Sequence, residues 1–204
     1  AGGQEQMKRD IGLLFTTRIV RLFCYGFLSV VLALYLAQTG LSEGQIGLLF
    51  TLTLAGDAGI SLWLTTSADR IGRRRTLILG ALLMVGAGLV FILTRNPLLL
   101  MGAAIIGVIS PSGNEIGPFL SVEQAGLTQL LPDQHRTQMF AWYNLSGSFA
   151  SAQGALGGGW LAQTLQGGGS TALNAYRVVL MGYALGGVIL VVLFLLTTSA
   201  IEVP

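Results

Sequence analysis

The chain has 204 residues, 52% hydrophobic and only 10% charged, with a mean hydropathy of +0.71. Soluble domains carry about a quarter charged residues, so the composition excludes an ordinary soluble domain and indicates an integral membrane protein. The pI near 9.0 comes from 11 Lys and Arg against 9 Asp and Glu. Most of that surplus sits in one arginine turn, which positive-inside topology explains without a nucleic-acid partner.

Residues 1–10 are polar and show no cleavable signal, because the apolar run that follows is long and lacks a small-residue cleavage site. That run, 11–38, is the first predicted spanning helix. It carries Arg18 and Arg21, one turn apart on one face. It also holds the lone Cys24, which excludes disulfides and thiolate metal clusters and reads as a packing residue. Ser42 with Gln45 three residues later reads as a capping box that opens a second helix over 45–68. Asp57 lies twelve residues before Asp69, about 18 Å along a helix rising 1.5 Å per residue, which places it near the bilayer middle. A charge there marks a pathway, a relay or a pair. The blander alternative is a carboxylate bonded to neighbouring hydroxyls. Gly56 and Gly59 beside it suit the close approach of another helix or a solute.

The turn 65–75, T-T-S-A-D-R-I-G-R-R-R, leads into a third helix over 76–94. Arg70, Arg73, Arg74 and Arg75 put this turn on the cytoplasmic side. Pro97 opens a fourth helix, 98–131, in the position where proline is tolerated best. Its segment 110–124, S-P-S-G-N-E-I-G-P-F-L-S-V-E-Q, predicts an interruption, since Pro111 and Pro118 each remove a backbone donor. Irregular backbone at membrane depth is tolerated only against protein or a water-filled cavity, so Asn114 and Glu115 are expected to line a central cavity. A kink with Glu115 reaching outward is the alternative. Glu123, eight residues on and about 13 Å from Pro132 along a helix, is expected to pair with Arg21 or Arg18, as a structural or a gating pair.

His135 is the only histidine and falls in a loop, which leaves an intramembrane serine protease or metalloprotease without its base or ligands. A fifth helix over 137–165 and a sixth over 173–198 are joined by a flexible turn at 167–170, and 199–204 form a tail. Tyr25, Tyr35, Trp142, Tyr143 and Asn144 are candidates to line the cavity or to anchor at the interface. Lys8, Arg9, the arginine turn and Arg136 fall on one side. Arg95 and Arg177, with Glu43, fall on the other, so both termini are expected in the cytoplasm.

The loop D-R-I-G-R-R-R at 69–75 closely resembles the signature loop of the major facilitator superfamily. The segment 35–49, Y-L-A-Q-T-G-L-S-E-G-Q-I-G-L-L, is similar to the join between the first two helices of these transporters. P-D-Q-H-R at 132–136 resembles the turn after their fourth helix, and G-A-L-G-G-G at 154–159 sits where they often carry a glycine-proline motif. Thr65 replaces the usual glycine of the loop. Ala103 stands where proton-coupled drug antiporters often have arginine, and Gln153-Gly154 where they tend to have Gly-Pro. These departures weigh against a standard multidrug antiporter.

The resemblance implies an all-α integral membrane protein with six transmembrane helices in a 3+3 inverted repeat, like one half of a major facilitator fold. It implies a bacterial inner-membrane transporter that moves a small solute by alternating access. Asp57, Glu115 and Glu123 would be its proton or substrate carboxylates, with Asn114, Arg18 and Arg21 on the same pathway. Asp69, Arg70, Gly72, Arg73 and Arg74 would form the loop that latches two halves together. No cofactor or metal is expected. The expected partners are the lipid bilayer, a small solute, protons and a second six-helix half. Family members usually have twelve helices, so the chain is expected to be a truncation, half of a heteromer or a homodimer. In the dimer, the Asp69 loop would meet the partner's fifth helix at Gly147, Gly154 and Gly158. The alternative is a non-transporting bundle acting as a partner-dependent assembly or regulatory module.

Overall fold

The computed structural model describes residues 2–107, 109–115 and 117–198; the burial of Gly2 and Gly3 and the side chain of Asp69 lie outside that description, as does the expected tail. Among the described residues, seven α-helices run in chain order: α1 (Gly2–Gln38), α2 (Glu43–Ile71), α3 (Arg73–Leu93), α4 (Pro97–Ile106), α5 (Phe119–Leu130), α6 (Arg136–Gly167) and α7 (Ala172–Leu196). A short 3-10 turn, Asp133–His135, precedes α6. No strand occurs among the described residues.

The helix boundaries follow local chemistry. Nothing between Gly2 and Asp10 breaks a helix, so α1 runs through the polar segment rather than starting at residue 11. Its Asp10, fully buried, accepts hydrogen bonds from the Thr198 N–H at 3.2 Å and from the Thr198 hydroxyl, which ties this segment to the end of α7. The capping box forms at α2: Ser42 Oγ accepts from Gln45 N–H at 3.3 Å, and Gln45 Oε1 accepts from Ser42 N–H at 2.9 Å. A single residue, Gly72, separates α2 from α3 at φ 102, a conformation that glycine adopts without steric penalty. The predicted fourth helix is two short ones, and the described residues of 107–118 lie outside any helix. Pro111 and Pro118 stand in that stretch, with Gly113 at φ 70 and Gly117 at φ 82.

Among the described residues, four helices are long and apolar enough to cross a membrane: Gln4–Gln38, Glu43–Ala68, Arg73–Leu93 and Ala172–Leu196. The six spans expected from the sequence are met on those grounds by four. The α4 helix is apolar but has 10 residues, about 15 Å at 1.5 Å per residue. The 32-residue α6 is long enough but rich in Gln, Ser and Gly.

The α1 helix lies at the centre and packs on α6 and α7, while α3 packs on α7 and α4 holds to α2 and α3. Glycines let α1 and α6 touch backbone to backbone. A Cβ added at Gly26 would stand 2.0 Å from the Ser151 carbonyl oxygen, one at Gly154 2.0 Å from that of Phe23, and one at Gly158 2.2 Å from that of Phe27. This corrects the expectation that Gly147, Gly154 and Gly158 face a partner's helix. They are buried within the chain, because burial of the α1 face takes the small-residue stripe. The outer face of α6 instead presents Trp142, Leu145, Phe149, Leu156 and Trp160. Gly56 does give the close approach expected of it, with Ile105 of α4 against it, whereas Gly59 faces open space.

Candidate functional site

A buried charge network joins α1, the break after α4, α5 and α6. On α1, Thr17, Arg18 and Arg21 occupy one turn. Arg21 donates from Nη1 to Glu123 Oε1 and from Nη2 to Glu123 Oε2, both at 2.8 Å, and from Nε to Glu115 Oε1 at 2.8 Å. Its guanidinium lies over the Phe119 ring, 4.5 Å from the centroid. Arg18 donates from Nη1 to Glu115 Oε2 at 2.5 Å and from Nη2 to Asn144 Oδ1 at 3.1 Å. Its guanidinium lies 4.3 Å from the Tyr143 centroid. Glu123 also accepts from Thr17 Oγ1 at 3.0 Å and from the Tyr143 hydroxyl.

Two guanidinium and two carboxylate groups make the network neutral overall. That balance is what allows it to be buried: an ion taken out of water is tolerated when a partner and further hydrogen bonds compensate it. Arg21 and Glu123 are wholly buried, whereas the Glu115 side chain keeps 12% of its surface exposed. Glu115 therefore marks the accessible edge, beside the exposed Asn144. The Tyr25 hydroxyl and Arg18 Nε are buried without a hydrogen-bond partner.

Other predicted site residues go elsewhere. Asn114 is exposed; its amide donates to Ser112 Oγ at 3.3 Å and its carbonyl accepts from Ser110 Oγ at 2.8 Å, so it does not reach the arginines. Asp57 accepts from Ser61 Oγ at 3.1 Å and from the Gly117 N–H. The break is seated on α6 and α1: Ser151 Oγ donates to the Gly113 carbonyl at 2.7 Å, and a Cβ at Gly113 would lie 3.0 Å from Ser29 Oγ.

In the arginine turn, Arg73 donates to Gln129 Oε1 at 2.7 Å. Arg74 donates to the Phe194 carbonyl at 3.2 Å and to that of Leu195. Arg70 is exposed, and the Asp69 side chain lies outside the described residues. Arg9 reaches the Leu196 carbonyl at 3.2 Å, and Arg136 reaches those of Leu131 at 3.2 Å and Thr128 at 2.8 Å. Arg9, Arg74 and Arg136 thus close helix C-termini, where unpaired carbonyls and the negative end of the helix dipole favour a cation.

Sequence reasoning did not single out Thr17, Ser61 or the Thr65–Ser121 hydroxyl pair at 2.8 Å. Their signal was present as helical spacing: Thr17 lies four residues before Arg21, and Ser61 and Thr65 lie four and eight after Asp57. Among the described residues, no group of three or more His, Cys, Asp or Glu could hold a metal ion. An apolar groove of about 400 Å³ between α3 and α4, lined by Leu82, Val90, Leu99 and Ile106 among others, has no polar side chain to recognise a solute.

Membrane-length apolar helices around a broken helix and an internal charge cluster define a polytopic helical membrane protein. The family model of the Major Facilitator Superfamily matches residues 14–203. The chain belongs to that family, whose members are transporters rather than enzymes. It is 41% identical over 196 residues, 95% of the chain, to an uncharacterised membrane protein of Saccharomyces cerevisiae. The chain spans 44% of the length of that relative.

Proposed function

We propose that this chain forms one half of a secondary transporter that moves a small solute by alternating access, with its charge network on the wall of the transport cavity. The observation that carries this reading is Glu115. It sits in a discontinuous helix, bridges Arg18 and Arg21, and keeps an accessible edge. Discontinuous helices are where secondary transporters commonly place their binding and coupling groups. An ion pair at membrane depth is a functional hypothesis by default.

In this reading the chain's helices form a 3+3 inverted repeat, with both termini cytoplasmic. A second six-helix unit closes the cavity, supplied by a longer polypeptide, a separate chain or a second copy. The greater length of the yeast relative supports such a unit. Glu115 and Glu123 are the carboxylates that exchange a proton or meet the solute, and Arg18 and Arg21 hold them. The loop carrying Asp69, Arg70, Gly72, Arg73 and Arg74 is the gating contact to the second unit. Proteoliposomes containing a pH-sensitive dye, challenged with amines, sugars and amino acids in turn, test the proposal. Solute-driven proton movement that disappears in Glu115→Gln supports it, and movement that persists unchanged in Glu115→Gln refutes it.

One observation favours a second reading. Arg21 and Glu123 satisfy each other wholly in the interior, as a structural clasp would in a non-transporting module that needs a partner. Native mass spectrometry from membrane-like particles separates the readings: a stable monomer with no flux favours the module.

A further inference from the structure

Asp57 stands apart from the charge network. It is the central residue of α2, and both its hydrogen bonds end on Oδ1, one from Ser61 Oγ and one from the backbone N–H of Gly117. Gly117 lies two residues before Phe119, where α5 begins, and Pro118 at the α5 N-cap position provides no side-chain hydrogen bond. Gly117 precedes the helix, so its amide has no helical partner, and a backbone donor left unpaired within a bundle of apolar helices is costly. Two residues further along α5, the Ser121 hydroxyl meets that of Thr65 at 2.8 Å. Asp57, Ser61 and Thr65 lie at i, i+4 and i+8, which places them in a row on one face of α2. Gly117 and Ser121 are spaced by the same four residues on the facing segment. Two polar rungs therefore join α2 to the start of α5, while Glu115 and Glu123, on either side of that start, bind α1.

We propose that Asp57 is a positioning residue. From α2 it tethers Gly117, the last residue before the α5 N-cap position, and so sets the register at which Glu115 and Glu123 meet Arg18 and Arg21. A carboxylate that accepts a backbone N–H makes a charge-assisted hydrogen bond, stronger than a neutral one, and here it fixes the chain where α5 begins. The assignment gives Asp57 a task other than carrying a proton or contacting solute, and it stands whether or not the chain transports anything.

The test is amide hydrogen exchange read by mass spectrometry on the full chain in lipid nanodiscs, comparing Asp57→Ala and Asp57→Asn with the unaltered protein. Loss of this tether in Asp57→Ala is expected to speed exchange about five- to tenfold in peptides covering 117–122, while peptides from the α1–α6 contact at 146–160 keep their rates. Asp57→Asn is expected to restore the original rates, because the asparagine side-chain carbonyl can accept from the same N–H. Unchanged exchange at 117–122 in Asp57→Ala overturns the proposal, as does acceleration that spreads equally through 146–160. If Asp57→Ala does not fold, the decision falls to a Thr65→Cys/Ser121→Cys pair in a Cys24→Ala background. A disulfide that forms equally with aspartate and with asparagine at position 57 supports the tether, and its loss with asparagine overturns it.

Discussion

Arg21 and Glu123, on helices α1 and α5, meet in a two-pronged ion pair with both prongs at 2.8 Å and neither side chain exposed. The planar guanidinium matches the carboxylate fork, and Thr17 and Tyr143 occupy remaining acceptor positions of Glu123. Removing one partner leaves an uncompensated charge in the interior. Glu123→Leu is therefore expected to destabilise the protein by about 3–5 kcal/mol, whereas the double change Arg21→Met/Glu123→Leu recovers most of that loss. Thermal unfolding of the single and double variants in one lipid mixture measures the difference.

Glu115 should behave differently, because it reaches the accessible edge and shares two arginines. Glu115→Gln keeps a carbonyl acceptor for one of them. It is expected to cost less stability than Glu123→Gln, by about 1–2 kcal/mol, since the Glu115 side chain is partly exposed whereas that of Glu123 is wholly buried. Proton-linked flux, by contrast, is expected to be abolished by Glu115→Gln. Unfolding midpoints and proteoliposome flux on the same samples check both halves of this outcome.

The α1–α6 contact leaves no room for side chains where backbones touch. Gly154→Val or Gly158→Val forces the helices apart and is expected to cost 3 kcal/mol or more, the upper end of about 1–3 kcal/mol for overpacking. Gly159→Ala is the control. A Cβ there meets only Val30 Cγ1 at 3.6 Å, an ordinary contact, so stability is expected to stay within about 0.5 kcal/mol. Yield of folded protein and thermal midpoints report on both.

Arg74 closes the α7 C-terminus through the Phe194 and Leu195 carbonyls. Arg74→Ala is expected to loosen the last turn of α7 at a cost of about 1–2 kcal/mol. Arg74→Lys restores only part of it, because an ammonium cannot reproduce the fork. Faster hydrogen exchange at 190–196, with the α1–α6 contact unchanged, is the expected signature.

Several features were legible in the residues alone because each has a local cause. Pro111 and Pro118 dictate a broken fourth helix, and Ser42 and Gln45 dictate a capped start to α2; the turn expected over 65–75 instead narrows to the single residue Gly72, with helix on both sides. Charges in apolar runs also announce that partners must exist. Arg18 and Arg21 were recognisable as needing carboxylates, and the candidates were few.

What the tertiary structure decided is which face meets which. It gave Glu123 to Arg21, let Glu115 bridge both arginines, turned Asn114 outward and brought Asn144 in. It directed Asp57 to a backbone amide rather than to the charges, and laid the Gly147, Gly154 and Gly158 stripe against α1 instead of against a second chain. Helical periodicity determines the face on which a residue lies, so the sequence by itself determined the stripes. The neighbour covering each stripe is set by long-range packing among helices that are apolar on several sides, and no local residue pattern encodes that choice.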